Sequence, residues 1–199
     1  MPGGSDLGAG WSEGLDVPMK QTLTVHPALS RPDLLAPAVT TALGGWDAEA
    51  AARVEVAAID PELADTAAFC ECYGVAPEDS ANCVVVAAKR GGETSYVACM
   101  VLATTRADVN GLVRRHLGAR KASFAPVDTV LALTGMEYGG ITPIGLPEGW
   151  PVLVDAAVAA NPRVVVGSGI RGSKLWLPGA QLAALPNAEV LPGLGVPIG

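Results

Sequence analysis

The stretch Thr134-Gly135-Met136-Glu137-Tyr138-Gly139-Gly140-Ile141-Thr142-Pro143-Ile144-Gly145 most constrains what this chain can fold into. Four glycines, one proline and two threonines lie between apolar segments. Glycine costs about 1 kcal/mol in a helix interior and proline about 3, so no regular helix runs through such a mixture. Gly139-Gly140 opens backbone conformations closed to other residues, and Pro143 biases Thr142 towards an extended shape. The composition predicts a shaped loop whose free N–H groups can cradle a carbonyl, a carboxylate or a phosphate. A tight connection with no ligand is the other reading of the same residues.

The 199 residues suffice for one sizeable domain with its own core. Aromatics make up only 5%, so that core must be built from Ala, Val and Leu. No apolar run reaches the ~18 residues of a membrane span, and no basic-then-apolar leader opens the chain. The expectation is a soluble, cytoplasmic protein. Net charge is -7, which argues against a general nucleic-acid coat. The charge is uneven: residues 1–80 carry 3 basic and 13 acidic groups (-10), and residues 81–199 carry 10 basic and 7 acidic (+3). Arg106, Arg114, Arg115, Arg120 and Lys121 face only Asp108 within 106–121. That stretch reads either as a local basic surface or as a solvated helix face.

Residues 1–30 read as a flexible tail and 192–199 as a loose end, leaving 31–191 as one domain. Helices are predicted over Asp33 to Leu43, Pro61 to Cys72, Asp108 to Leu117, Asp128 to Leu133 and Ala180 to Leu185. Strands are predicted over Val54 to Ile59, Asn82 to Ala88, Tyr96 to Thr104, Lys121 to Phe124, Pro151 to Ala156, Arg163 to Gly167 and Leu175 to Leu177, with Ala188 to Leu191 at an edge. Lys89 to Glu93 reads as a five-residue hairpin loop. Interspersed helices and strands predict an α+β domain with a mixed sheet.

Cys70, Cys72, Cys83 and Cys99 read as buried reduced thiols. The Cys70-x-Cys72 spacing on a helix sends the two side chains in different directions, and His26 and His116 lie far apart, so no metal site is expected. The second glycine-rich turn, Gly167-Ser168-Gly169-Ile170-Arg171-Gly172-Ser173-Lys174, lacks the phosphate-loop pattern and leads into a strand-like Leu175-Trp176-Leu177. No nucleophile elbow and no metalloprotease motif occurs. Chemistry here must rest on backbone amides, a lysine, water or the substrate itself.

These residues carry a resemblance. The helix end Cys72-Tyr73-Gly74-Val75, the strand Cys83-Val84-Val85-Val86 and the segment from Asp108 to Lys121 match, in order, the YbaK/EbsC family of aminoacyl-tRNA deacylases. The loop Gly139-Gly140-Ile141-Thr142-Pro143-Ile144-Gly145 and the run Val165 to Gly172 complete the match, over roughly residues 50–191. The family is related to the editing domain inserted in bacterial prolyl-tRNA synthetase. The resemblance implies a barrel-like mixed sheet flanked by helices. It implies hydrolysis of the ester joining a wrong amino acid to the tRNA 3′ end, most plausibly a small residue on tRNA for proline, without metal or organic cofactor. It implies that Gly139, Gly140, Ile141, Thr142 and Pro143 form the catalytic loop, whose amides hold the oxyanion, and that water attacks with help from the terminal ribose hydroxyl.

Active members usually carry a lysine just before the strand, where this chain has Asn82. An amide hydrogen-bonds but carries no positive charge. Where the family has an Asp or His after the second glycine turn, this chain has Lys174, read either as a relocated cation or as an ordinary exposed lysine. Gly167, Ser168, Gly169 and Val84 are candidate substrate contacts. Arg114, Arg115, Arg120 and Lys121 are candidate partners for acceptor-stem phosphates. The rival class is a non-catalytic member that binds a tRNA end, a small ligand or a protein, because Asn82 replaces the lysine. Oligomeric state cannot be read from these residues.

Overall fold

The computed structural model describes residues 21–198. Its eleven strands are β1 (His26–Pro27), β2 (Glu55–Ala58), β3 (Ala81–Arg90), β4 (Glu93–Leu102), β5 (Thr105–Ala107), β6 (Lys121–Phe124), β7 (Val152–Asp155), β8 (Val164–Gly167), β9 (Ser173–Leu177), β10 (Ala188–Leu191) and β11 (Gly195–Pro197). The helices are α1 (Pro37–Gly44), α2 (Ala48–Ala52), α3 (Thr66–Tyr73), α4 (Arg114–His116), α5 (Val127–Thr134), α6 (Ala156–Ala160) and α7 (Gly179–Ala183), with short tighter turns between them.

The strands form three sheets. One is all antiparallel, in the order β1-β2-β9-β8; a mixed one runs β10-β7-β4-β3-β6; β11 and β5 form a ribbon. The two larger sheets touch through an isolated parallel bridge between Ser80 and Val165. They do not close on themselves, so the fold is α+β with a mixed sheet, as expected, but the barrel-like form is not.

Burial on both faces explains why the strands read as nearly unbroken apolar runs. Val56, Met100, Val154, Leu175 and Leu177 turn into the largest core with Val39 and Leu43 of α1. The alternate residues Val97, Cys99, Val101 and Leu153 pack under Val109 and Val113. On the outer face of the four-stranded sheet, Ala57, Val165 and Trp176 meet Phe69 and Cys70 of α3. Strand alternation therefore puts Lys174 on the Trp176 face, beneath α3.

Several boundaries differ from the sequence expectation, each for a local reason. Pro37 holds Ala36 extended (ψ 149°), so the helix expected over Asp33 to Leu43 splits into a turn at Pro32–Leu34 and α1. Gly91 and Gly92 both have positive φ (61° and 91°), which gives the β3–β4 hairpin a tight two-residue turn instead of a five-residue loop. Asp47 and Asp155 cap α2 and α6, two short helices absent from the sequence reading. Asp108 caps the next helical segment as expected, but its first turns, Val109–Val113, are π-helical. The tails are shorter than expected. His26–Pro27 pairs with β2 and Ala28 is fully buried; Leu194 is buried and Gly195–Pro197 pairs with β5. Residues 1–20 of the expected N-terminal tail lie outside the described residues.

The two glycine-rich turns are docked against each other. Gly169 N–H donates to Gly140 C=O (2.7 Å) and Glu137 N–H to Gly169 C=O (2.8 Å). A Cβ on Gly140 would collide with the Ile170 backbone, and one on Gly167 with the carbonyls of Gly140 and Ile141. Only glycine allows this approach. Gly167→Ala is therefore expected to destabilise the fold by about 2 kcal/mol or more, as overpacking against backbone does. Gly44→Ala, at an open helical site, should be neutral or slightly stabilising. Urea unfolding midpoints of the two variants check this.

Candidate active site

A hollow of about 230 Å³ opens where α3, the start of β3 and the two glycine turns converge. Asp65, Thr66 and Phe69 come from the α3 end, which is fixed by the Asp65 carboxylate accepting from Ala67 N–H. Ser80 leads into β3, which supplies Ala81 to Cys83, and Tyr138, Gly139 and Ile141 come from the first glycine loop. Val165, Val166, Gly167, Arg171 and Lys174 complete the wall.

Asn82 and Lys174, the two residues that depart from the family pattern, thus meet in one pocket. Thr66 Oγ1 donates to Asn82 Oδ1 (2.7 Å), which leaves the Asn82 amide N–H groups without a partner among the described residues. Lys174 is 7% exposed. Its Nζ donates to Ala64 C=O (2.9 Å) and Gly139 C=O (3.1 Å) and lies 5.7 Å from the Phe69 ring centre. An ammonium has three N–H groups, so one remains for the pocket. Burial lowers its pKa from 10.5 to about 8; Asp65 and Cys70 pull it back up, and the Arg171 charge lowers it further. Lys174 is a buried cation bound to the loop, not an exposed turn lysine.

Within the loop, Gly140 N–H is spent on Glu137 C=O (3.0 Å). Gly139 and Ile141 line the hollow, and their N–H groups have no acceptor among the described residues. Thr142 is fully buried, and its hydroxyl has no hydrogen-bond partner among the described residues. Pro143 lines a different hollow beside Trp46 and Trp150. Of the candidate substrate contacts, only Gly167 reaches the pocket. Ser168 is fully buried and bonded to Ser173 Oγ (2.6 Å), and Gly169 presses on Ala36, just before α1. Val84 lies two residues further along β3 than Asn82, about 7 Å away, and Cys83 lines the pocket instead.

Burial pushes the Cys83 thiol above the ordinary 9, away from the reactive thiolate, and that of Cys99 up to about 12. All four cysteines are free, but only Cys70 and Cys99 are fully buried; Cys72 and Cys83 are half-buried.

Sequence reasoning missed Asp65, Thr66, Phe69, Tyr138 and Arg171 as pocket residues. The helix expected over Pro61 to Cys72 in fact breaks after Leu63 and restarts at the Asp65 cap of α3, and nothing local said that this new start faces the glycine loop. The candidate tRNA contacts gather elsewhere. Lys89 pairs in register with Lys121, and Lys89, Arg90, Arg120 and Lys121 surround a second hollow at the tip of the β3–β4 hairpin. Arg115 is exposed on α4, whereas Arg114 Nε donates to Asn110 C=O (2.9 Å).

The sequence pattern of the aminoacyl-tRNA editing domain matches residues 60–185. The chain belongs to the aminoacyl-tRNA editing domain family. Solved structures agree on the fold. A protein reported as a candidate trans-editing enzyme for prolyl tRNA synthetase superimposes with a TM-score of 0.65 at 20% identity, over 79% of this chain and 97% of that one. A hypothetical protein superimposes with a TM-score of 0.66 at 18% identity, over 78% and 99%. Among the described residues of this editing domain, no helix is long and apolar enough to cross a membrane, and no group of three His, Cys, Asp or Glu side chains is arranged to hold a metal ion.

The depressed Lys174 pKa has a stability consequence. Between about pH 8 and 10.5 the unfolded chain holds this proton and the folded chain does not, so stability rises with pH across that window. The cost of burying the charge, on the order of 3 kcal/mol, is fully felt below pH 8 and relieved above 10.5. Denaturant titrations from pH 7 to 10.5 should show this rise in wild type and its loss in Lys174→Met.

Proposed function

We propose that this editing domain is a trans-acting deacylase that hydrolyses the ester of mischarged aminoacyl-tRNA, with a small amino acid as its preferred side chain. The observation that carries this reading is the pair of unspent N–H groups of Gly139 and Ile141 beside a pocket that also holds a buried lysine. The ester carbonyl sits against the loop. Water attacks the carbonyl carbon, and the carbonyl oxygen becomes an oxyanion held by the Gly139 and Ile141 N–H groups. The remaining Lys174 N–H adds positive field, and the Asn82 amide orients the water or the terminal ribose. As the tetrahedral species collapses, the bond to the ribose 3′ oxygen breaks, and the attacking water's proton passes to that oxygen through the neighbouring 2′ hydroxyl. Preorganised donors of this kind are worth several kcal/mol.

A small side chain suits walls made by Phe69, Ile141, Val165 and Val166 around a hollow of about 230 Å³. Apolar pockets discriminate only roughly 10- to 200-fold per methylene, so neighbouring amino acids would be cleared at graded rates. The substrate's phosphates fit the basic hairpin tip. Lys89 lies seven residues along β3 from Asn82, about 23 Å. Arg115, Arg120 and Lys121, with Lys89 and Arg90, are the partners for the acceptor stem, and Glu93 is the acid that stands opposite Arg90 in the hairpin.

A panel of labelled aminoacyl-tRNAs tests the reading. Wild type should deacylate at least one small-residue species, and Lys174→Ala should lower kcat about 100-fold or more. The rate above background should fall as pH rises through about 8, because the ammonium is the active form; burial chiefly sets that position, adjusted by Asp65, Cys70 and Arg171. Wild type inert on the whole panel, with activity appearing in Asn82→Lys, would instead make this a binding module. Independently, Arg120→Ala with Lys121→Ala should weaken tRNA binding and flatten the slope of log Kd against log salt by about 1–2. An unchanged slope returns those residues to a plain solvated surface.

A further inference from the structure

Tyr138 is the one large pocket-lining side chain left open to solvent. It is 62% exposed, yet it lines the same hollow as Gly139. Exposing a large aromatic ring gains nothing for folding, and such rings at pocket mouths serve as contact surfaces. The ring is also held in place without being buried. Arg171 Cζ lies 5.8 Å from the ring centre, and Arg171 Nη1 donates to Tyr138 C=O (3.3 Å). The Glu137 carboxylate accepts from Arg171 N–H (2.7 Å), and Glu137 N–H donates to Gly169 C=O (2.8 Å). Glu137 and the Tyr138 carbonyl are thus tied to the second glycine turn, and little ordering is left to do when a ligand stacks on the ring.

We infer that Tyr138, backed by Arg171, is the stacking platform for the purine base of the substrate's terminal nucleoside. This rests on the deacylase reading and adds to it the surface that holds the nucleoside. Chain position fits the chemistry. Tyr138 directly precedes Gly139, whose N–H would receive the ester oxygen, and in an aminoacyl nucleoside only a few bonds of ribose separate that ester from the base. An aromatic ring with a guanidinium on one face suits a flat, neutral base by stacking and cation–π contact, and it reads no hydrogen-bond pattern. The base would therefore be gripped by shape, and the amino acid by the pocket.

The test is equilibrium binding, by calorimetry, of a non-hydrolysable amide, 3′-alanylamino-3′-deoxyadenosine, with alaninamide as the nucleoside-free control. Base–aromatic stacking predicts that Tyr138→Ala weakens the nucleoside amide roughly 5- to 100-fold. Tyr138→Trp and Tyr138→Phe should stay within about threefold of wild type, since a ring is enough. Alaninamide binding should not discriminate among these variants. Thermal melts identify any variant that has failed to fold, and the Phe and Trp variants keep the comparison open in that case. In steady state on aminoacyl-tRNA, Tyr138→Ala should raise KM with little change in kcat. Equal binding of the nucleoside amide by wild type and Tyr138→Ala, or no binding by wild type, overturns the platform. Tight, Tyr138-dependent binding by a protein that deacylates no aminoacyl-tRNA would overturn the deacylase reading and leave the platform standing.

Discussion

The contact between the two glycine turns underlies everything else. Gly140 and Gly167 approach so closely that no side chain fits between them, and the Gly169-to-Gly140 hydrogen bond closes the joint. This single docking sets the mouth of the pocket. It fixes where the Gly139 and Ile141 amides stand relative to β8 and β9, and so relative to Lys174. Without it, the first loop would be a mobile connection and the second a hairpin turn, and neither would be a receptor.

Lys174 shows how the fold imposes chemistry on an ordinary residue. Alternation along β9 puts it on the face covered by α3, so it is largely withdrawn from bulk water. The interior accepts it because two carbonyls receive its hydrogens and Phe69 supplies a ring face. One of those carbonyls belongs to Gly139, so the cation braces the loop as well as charging the pocket. The arrangement costs stability, since burial disfavours the ammonium. A cost of this kind, kept beside unspent amides, is the pattern of a site shaped for function.

Much of this was legible in the residues. The β-branched runs, the Asp108 cap and the Gly74 stop each act within a few residues, and the sequence exposes such signals directly. The glycine loop was legible as a loop, and its likeness to a family pointed to the aminoacyl-tRNA editing family to which the chain belongs. Tertiary contacts were not legible. Nothing near Ser168 announces that its hydroxyl is consumed by Ser173, and nothing near Thr142 announces its complete burial. Val84 was nominated and Cys83 found because strand register, fixed by pairing with β4, decides how far along β3 the pocket reaches. The open sheets, in place of a barrel, likewise depend on which strand edges meet, and an isolated bridge between Ser80 and Val165 links the two among the described residues.

The central claim is that the loop amides receive the oxyanion. The most direct measurement is a ¹H–¹⁵N spectrum of the protein titrated with a phosphonate analogue of an alanyl ester, whose tetrahedral anionic oxygens imitate the intermediate. The account predicts that the Gly139 and Ile141 amide protons move strongly downfield on binding, while Gly140, already bonded to Glu137, moves little. Saturable binding that leaves Gly139 and Ile141 unmoved would contradict it.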